Sequence, residues 1–187
     1  MNLARRTGVA AICAGALVFA GQAGELVFGS PSDAVDAALI ALWAGGALAF
    51  GIAFWGLRAF LRGSRAGQIA GWLGVAGSAL LVAFAVQAAI EVARSGDVPE
   101  NFIVFALGFL LLLVADVLIA FPLRRLPIGA GWVLPLVAVA GLVVALALDV
   151  DPVHDIGLFV FEGAWVALGV FLLRAERSIA VDRAATA

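Results

Sequence analysis

Six long apolar runs, separated by short polar connections, account for almost all of this chain. Each run is long enough to cross the roughly 30 Å hydrocarbon core of a membrane as a helix that rises about 1.5 Å per residue. Apolar runs of this length predict transmembrane helices. The predicted fold is an all-α, polytopic membrane bundle in a single domain, residues 1–187, with a short cytoplasmic tail at 175–187. The six predicted spans are approximately 8–28, 34–61, 68–92, 102–121, 130–148 and 153–173.

The connections carry signals for where the helices start. Ser30–Asp33, Asp97–Glu100 and Asp151–Pro152 each place a capping side chain ahead of a proline, and each precedes an even-numbered span. Such residues satisfy the free backbone N–H groups of a helix N-terminus. Gly71-Trp72 and Gly131-Trp132 open the third and fifth spans, each after an arginine cluster. Trp is favoured at the headgroup level of a membrane. We therefore expect the third and fifth helices to start at the membrane face opposite to the one where the even-numbered helices start.

Composition supports the membrane assignment and removes several classes of function. The chain is 65% hydrophobic and 13% charged, whereas soluble domains are about 45–50% apolar and about 25% charged. This excludes a soluble enzyme, a nucleic-acid binder and a disordered segment. The sequence has one cysteine, one histidine and no lysine, which excludes an internal disulfide, a multi-histidine metal centre and a Schiff-base lysine. We expect no cofactor and no metal site.

The arginines are distributed unevenly between the connections. Six crossings place ten of the eleven arginines on one side of the membrane and leave Arg94 on the other, which carries seven acidic residues. Cytoplasmic loops are enriched in Arg and Lys, so we expect both termini in the cytoplasm. The basic, apolar N-terminus also resembles a signal peptide, but an uncleaved first span is favoured. The all-arginine, alanine-rich composition is typical of GC-rich bacteria and indicates a bacterial inner membrane. The ten arginines are Arg5, Arg6, Arg58, Arg62, Arg65, Arg124, Arg125, Arg174, Arg177 and Arg183.

Two predicted hairpins share a sequence pattern. Spans two and three, like spans four and five, form an apolar helix, an arginine pair, a short turn containing glycine and a Gly-Trp pair. The pattern predicts a duplicated hairpin; the alternative is a chance alignment of Ala, Gly, Leu and Val.

Three segments of the chain resemble a known group of proteins. The turn Arg65–Trp72, the restart Leu126–Trp132 and the ending Gly163–Arg174 are similar to small six-span proteins common in GC-rich bacteria. Those families are largely uncharacterised. The resemblance implies the six-span architecture and implies no activity and no site residue.

Four acidic residues fall inside the predicted spans. Glu25 and Glu91 lie near the outer ends of the first and third spans, where water or headgroups reach them. By helix rise, Glu162 lies about 13 Å and Asp116 about 21 Å inward from the start of its span. Ionisable groups at such depth are costly and mark functional sites by default. All four are therefore candidates for binding an ion, a proton or a ligand.

Other polar residues accompany these acids at helical spacing. Gln22, Gln87 and Asp155 each lie three, four or seven residues before one of the acids and share a helix face with it. Together they predict a polar stripe toward the outer half of the bundle interior, where carboxylates bind a cation or hold a proton. His154, in the acidic last outer connection, is a secondary candidate for a pH sensor or metal ligand, with an ordinary surface residue as the alternative.

Most of these residues also have a structural interpretation. Glu91 can pair with Arg94, and the two glutamines can form interhelical hydrogen bonds. Asp116 and Glu162 can pair with a partner subunit. Cys13 is interpreted as a small packing residue.

The glycines and tryptophans favour close packing. The glycines of Gly67–Gly77 form a small-residue face, which indicates that the third span is central or lies at a dimer seam. Trp43, Trp55 and Trp165 are interpreted as lipid-facing or packing residues.

Two functions remain open at this point. A small transporter, channel or ligand-binding membrane subunit would use the four intramembrane acids. A non-catalytic structural or accessory subunit of a larger membrane complex would account for the short connections and glycine-rich faces. We expect no enzymatic activity, because the sequence has no nucleophile–base pair, metal cluster or phosphate loop, although lipid chemistry is an alternative. The expected partners are the lipid bilayer and a second copy or another membrane protein, but no nucleic acid.

Overall fold

The computed structural model consists of six long helices joined by short connections. It describes residues 3–28, 33–95, 102–126, 128–148 and 153–185, without the side chains of residues 25, 28, 33–36, 148, 153 and 176–185. A short 3₁₀ turn, Gly129–Val133, precedes the fifth helix. The helices are α1 (Leu3–Phe28), α2 (Asp33–Phe60), α3 (Arg65–Ser95), α4 (Ile103–Leu123), α5 (Leu134–Leu148) and α6 (Val153–Ala185).

All six predicted spans correspond to helices of the structure. Each contains a segment long and apolar enough to cross a membrane, and no strand occurs in the described residues. The chain is a multi-pass integral membrane protein with an all-α fold, as predicted. α1 and α3 start before the predicted spans, and α6 continues into the predicted tail, because a helix satisfies its own backbone hydrogen bonds beyond the hydrocarbon.

The fifth helix starts less regularly than the sequence predicts. Gly129 has φ of 56°, a left-handed conformation that favours glycine. Pro135 has no N–H to donate to the carbonyl of Gly131, which accepts instead from the N–H of Leu134 in a 3₁₀ bond. The regular α-helix therefore begins only at Leu134.

The capping side chains predicted in the connections are not among the side chains that the structure describes. Ser30–Ser32 and Asp151–Pro152 lie outside the described residues. α4 has Phe102 at its N-cap and no side-chain cap. Asp97–Glu100 also lies outside the described residues, so its role as a capping motif stays a prediction.

The helices pack around an interior to which α6 contributes large side chains. α1 to α4 pack against each other in chain order, and α6 packs against both α1 and α5. α4 and α5 contact each other much less extensively than these pairs do. α2 reaches α6 through aromatic rings, since the centroids of Phe50 and Phe54 lie 4.9 and 5.0 Å from Trp165. α6 thus contacts helices on several sides of the bundle.

Glycines bring three antiparallel helix pairs into backbone contact. In each pair two glycines face each other, and a β-carbon added at either would lie 2.5–3.1 Å from the carbonyl oxygen of the other. Small residues allow this approach between membrane helices. The small-residue face of Gly67–Gly77 packs within the chain, against α2 and α4. The facing pairs are Gly8 with Gly169, Gly77 with Gly108, and Gly141 with Gly157.

The two hairpins that share a sequence pattern also share a contact at their turns. The guanidinium carbon of Arg58 lies 4.3 Å from the ring centroid of Trp72, and that of Arg124 lies 4.8 Å from Trp132. The helices that follow differ, because α3 is one helix of 31 residues whereas α5 has 15 residues after its 3₁₀ turn. The duplication itself stays a prediction.

Candidate functional site

Two of the predicted intramembrane acids lie in the centre of the bundle. Asp116 of α4 is 0% exposed and Glu162 of α6 is 1% exposed. α4 and α6 run in the same direction, because both follow an odd number of crossings. By helix rise, Asp116 lies about 20 Å from Ile103 and Glu162 about 12 Å from His154, so the carboxyls occupy different depths. We call these two residues the central acids.

The central acids have few hydrogen-bond partners. The indole N–H of Trp165 donates to Oδ2 of Asp116 over 3.4 Å. Oδ1 of Asp116 and both carboxyl oxygens of Glu162 are buried and have no hydrogen-bond partner in the part of the chain that the structure describes. Most buried polar groups in proteins are hydrogen-bonded, and leaving one unsatisfied costs about 1–3 kcal/mol. Three buried acceptors therefore have the capacity to bind a proton or a cation.

Aromatic rings hold the tryptophan that contacts Asp116. Trp165 is 1% exposed, and Phe50 and Phe54 contact it edge-on at interplanar angles of 82° and 65°. Such edge-to-face contacts fix the orientation of a ring. The sequence interpretation of Trp165 as a packing residue was therefore incomplete. Its spacing of three residues from Glu162, which places both on one face of α6, is the signal that could have identified it.

A second polar contact lies nearer the end of the bundle that carries the acidic connections. The side-chain nitrogen of Gln22 donates to Oδ1 of Asp155 over 3.1 Å and joins α1 to α6. Gln22 is buried, while Asp155 is half-buried. Asp155 precedes Glu162 by two helical turns on the same face of α6. Polar side chains therefore occur along α6 from this end down to Glu162.

The polar residues of α3 form a separate pair. Gln87 donates to Oε1 of Glu91 over 3.0 Å, within the helix, and both side chains are half-buried. No ion pair between Glu91 and Arg94 occurs among the described residues. The structure thus gives Glu91 a hydrogen bond within its own helix rather than the predicted arginine partner.

The other predicted residues lie outside this centre. Glu25 belongs to α1, but its side chain is outside the described part of the chain. Nδ1 of His154 lies 3.0 Å from the carbonyl oxygen of Ala145, one of the last carbonyls of α5, which have no partner within their helix. Within the described residues no group of three potential metal ligands occurs. Cys13 is exposed on the outside of the bundle rather than packed inside it, which corrects its interpretation.

The half of the bundle nearer the arginine-rich connections is apolar inside. Ile119 and Leu123 follow Asp116 on α4, Leu168 follows Trp165 on α6, and each is at most 1% exposed. The buried hydroxyl of Thr7 donates to the carbonyl of Leu3 over 2.8 Å and so is satisfied within α1. The central acids therefore have apolar side chains between them and this end of the bundle.

Comparison with known proteins does not assign the chain to a family. No protein-family model, no curated protein and no solved structure matches the chain. The resemblance to small six-span bacterial proteins accordingly stays a prediction.

Proposed function

We propose that the protein is a small transporter or channel for protons or small cations, and that Asp116 and Glu162 bind the transported ion. The observation that carries this proposal is the set of three buried carboxyl oxygens for which the described part of the chain provides no hydrogen-bond partner. A charged carboxylate inside a membrane is costly, and such residues are typical of ion and proton pathways. A bound proton or cation would supply the missing interaction.

The enclosure of the central acids argues against a purely structural role. A carboxyl that pairs with a partner subunit needs to be reachable from the bundle surface, whereas Asp116 and Glu162 are 0% and 1% exposed. Their burial inside one chain also favours a small ion, since Trp165 and its flanking phenylalanines fill the space beside Asp116.

The distribution of polar residues supports entry from one side. Asp155 and Gln22 lie near the end with the acidic connections, Glu162 lies deeper and Asp116 deepest, followed by an apolar segment. An acidic entrance raises the local concentration of cations. We propose that ions enter from this end, that both termini lie in the cytoplasm by the arginine distribution, and that the membrane is a bacterial inner membrane.

Ion flux into liposomes tests this function directly. Purified protein is reconstituted into liposomes and a membrane potential is imposed. A pH-sensitive dye inside the liposomes reports proton flux, and Na⁺ and K⁺ fluxes are measured in separate experiments. We expect flux of at least one of these ions from the wild type, and its loss to the level of protein-free liposomes in Asp116→Asn and in Glu162→Gln. Both variants keep the size of the side chain and remove its charge.

A matched control uses the partnered acid of α3. Glu91→Gln removes a charge from a half-buried side chain that already has a hydrogen bond, so flux should stay close to that of the wild type. Wild-type flux from both central variants, or the absence of all three fluxes from the wild type, would contradict the proposal.

A second candidate is the accessory subunit of a larger membrane complex. It is favoured by the small contact between α4 and α5 and by the exposed apolar side chains of α4, which include Leu107, Leu110 and Val114. Mild detergent extraction followed by size analysis should then recover a partner in fixed stoichiometry. Recovery of a stable monomer that carries out ion flux would reject this candidate.

A further inference from the structure

An arginine between two tryptophans forms the corner between α2 and α3. The guanidinium carbon of Arg58 lies 4.3 Å from the ring centroids of both Trp55 and Trp72. The two indoles are 5.4 Å apart and nearly perpendicular, at 81°. We call these three residues the Arg58 corner.

The backbone at this corner holds the arginine in place. Gln68, in the first turns of α3, donates its side-chain N–H to the carbonyl oxygen of Arg58 over 2.7 Å. A β-carbon at Gly71 would lie 2.4 Å from the β-carbon of Arg58, so the arginine stem lies directly on the α3 backbone. The position of the guanidinium therefore follows from the packing of two helices.

The corner has positive charge and no acidic counterpart nearby in the sequence. Arg62, in the connection after α2, and Arg65, the first residue of α3, are exposed and follow Arg58 closely in the sequence. The chain has no acidic residue between Asp36 and Glu91. In the described part of the chain no hydrogen-bond acceptor contacts the Arg58 side chain, and its Nε is buried without a partner. Cation–π contacts use the faces of a guanidinium and leave its in-plane N–H groups to donate to an oxygen acceptor.

The tryptophans indicate where such an acceptor comes from. Trp55 and Trp72 are 48% and 52% exposed on the outside of the bundle, near the ends of two membrane helices. Exposed indoles at this level lie among lipid headgroups, and basic clusters at helix ends recognise anionic lipids. We propose that the Arg58 corner binds the phosphate of an anionic phospholipid, with Arg58 as its principal contact and Arg62 and Arg65 as supporting charges.

Native mass spectrometry of the full chain tests this proposal. The protein is presented with equal amounts of a phosphatidylglycerol and a phosphatidylcholine that have the same acyl chains, and the retained lipid is counted. We expect the wild type to retain phosphatidylglycerol preferentially. One basic residue at a membrane surface changes lipid binding by about five-fold, so Arg58→Gln should reduce the preference by at least about this factor. Arg94→Gln, at the opposite end of the bundle, should leave it unchanged.

Two further measurements keep the result unambiguous. Arg62→Gln combined with Arg65→Gln alters only exposed side chains, so it leaves folding intact and should also reduce the preference. Millimolar inorganic phosphate, compared with chloride at matched ionic strength, should not displace the lipid; displacement would identify a site for the free ion and overturn the lipid assignment. An equal preference in wild type, Arg58→Gln and the double variant would overturn the proposal altogether.

Discussion

The central acids differ from two other polar pairs in how completely their hydrogen bonds are satisfied. We call these pairs, Gln22 with Asp155 and Gln87 with Glu91, the outer pairs, because they lie nearer the end of the bundle with the acidic connections. Each outer pair forms a side-chain hydrogen bond of 3.0–3.1 Å. The central acids are more deeply buried, yet three of their four carboxyl oxygens have no hydrogen-bond partner among the described residues. Pairs that only stabilise packing are expected to be best satisfied where burial is deepest. The reverse order here indicates that the outer pairs stabilise the bundle and that the central acids do not.

The largest effect should come from removing Glu162, the central acid whose carboxyl has no hydrogen bond within the described structure. Glu162→Met replaces a buried, unpartnered carboxyl by an apolar side chain of similar shape, and we expect it to raise the free energy of unfolding by about 1–3 kcal/mol. The same variant should lose ion flux. Unfolding in mixed micelles, followed by circular dichroism, gives the stability. A Glu162→Met variant less stable than the wild type would contradict the conclusion that the central acids do not stabilise the bundle.

A smaller effect should come from the single hydrogen bond of Asp116. Trp165→Phe keeps a ring but removes the indole N–H, and the lost bond should account for about 0.5–1.5 kcal/mol of its destabilisation. The change in ring size contributes as well, so a double-mutant cycle with Asp116→Leu isolates the bond. Trp165→Phe should lower the free energy of unfolding by less in the Asp116→Leu background than in the wild type. Equal costs in both backgrounds would show that the 3.4 Å contact contributes nothing.

The smallest effects should distinguish the two outer pairs from each other. Gln22→Leu removes a hydrogen bond between α1 and α6 and should lower the free energy of unfolding by about 0.6 kcal/mol. Gln87→Leu removes a bond within α3 and should cost about 0.2–0.5 kcal/mol at most. Both variants should keep the wild-type ion flux, measured in the same liposomes. Loss of flux in Gln22→Leu would extend the ion site to the outer end of α6.

The number and type of helices follow from the sequence because a membrane imposes a simple rule. A backbone in hydrocarbon has to satisfy its own hydrogen bonds, so apolar runs of sufficient length become helices. The start of α5 departs from this rule because Pro135 has no backbone N–H to donate and Gly129 adopts a left-handed conformation. Hydropathy contains no information on either local effect.

The candidate site is only partly predictable for a different physical reason. Depth along a span can be counted, so Asp116 and Glu162 emerge from the sequence as deep acids. Which way a side chain faces depends on contacts between helices far apart in sequence, and the lipid-facing and inward-facing sides of these helices are both mostly apolar. The contact of Asp116 with Trp165, 49 residues later, and the contact of His154 with the end of α5 therefore appear only in the folded bundle.

The packing of α1 against α6 sets an order for assembly. Gly8 and Gly169 come from opposite ends of the described chain, yet their backbones touch. During synthesis α1 enters the membrane long before α6 exists, so this face of α1 is covered by lipid or by a chaperone in the interval. Asp116 likewise has no hydrogen bond from the indole of Trp165 until α6 has been synthesised. The proposed ion site is therefore among the later parts of the molecule to form, and truncation before α6 should leave helices in the membrane without the central pair of acids.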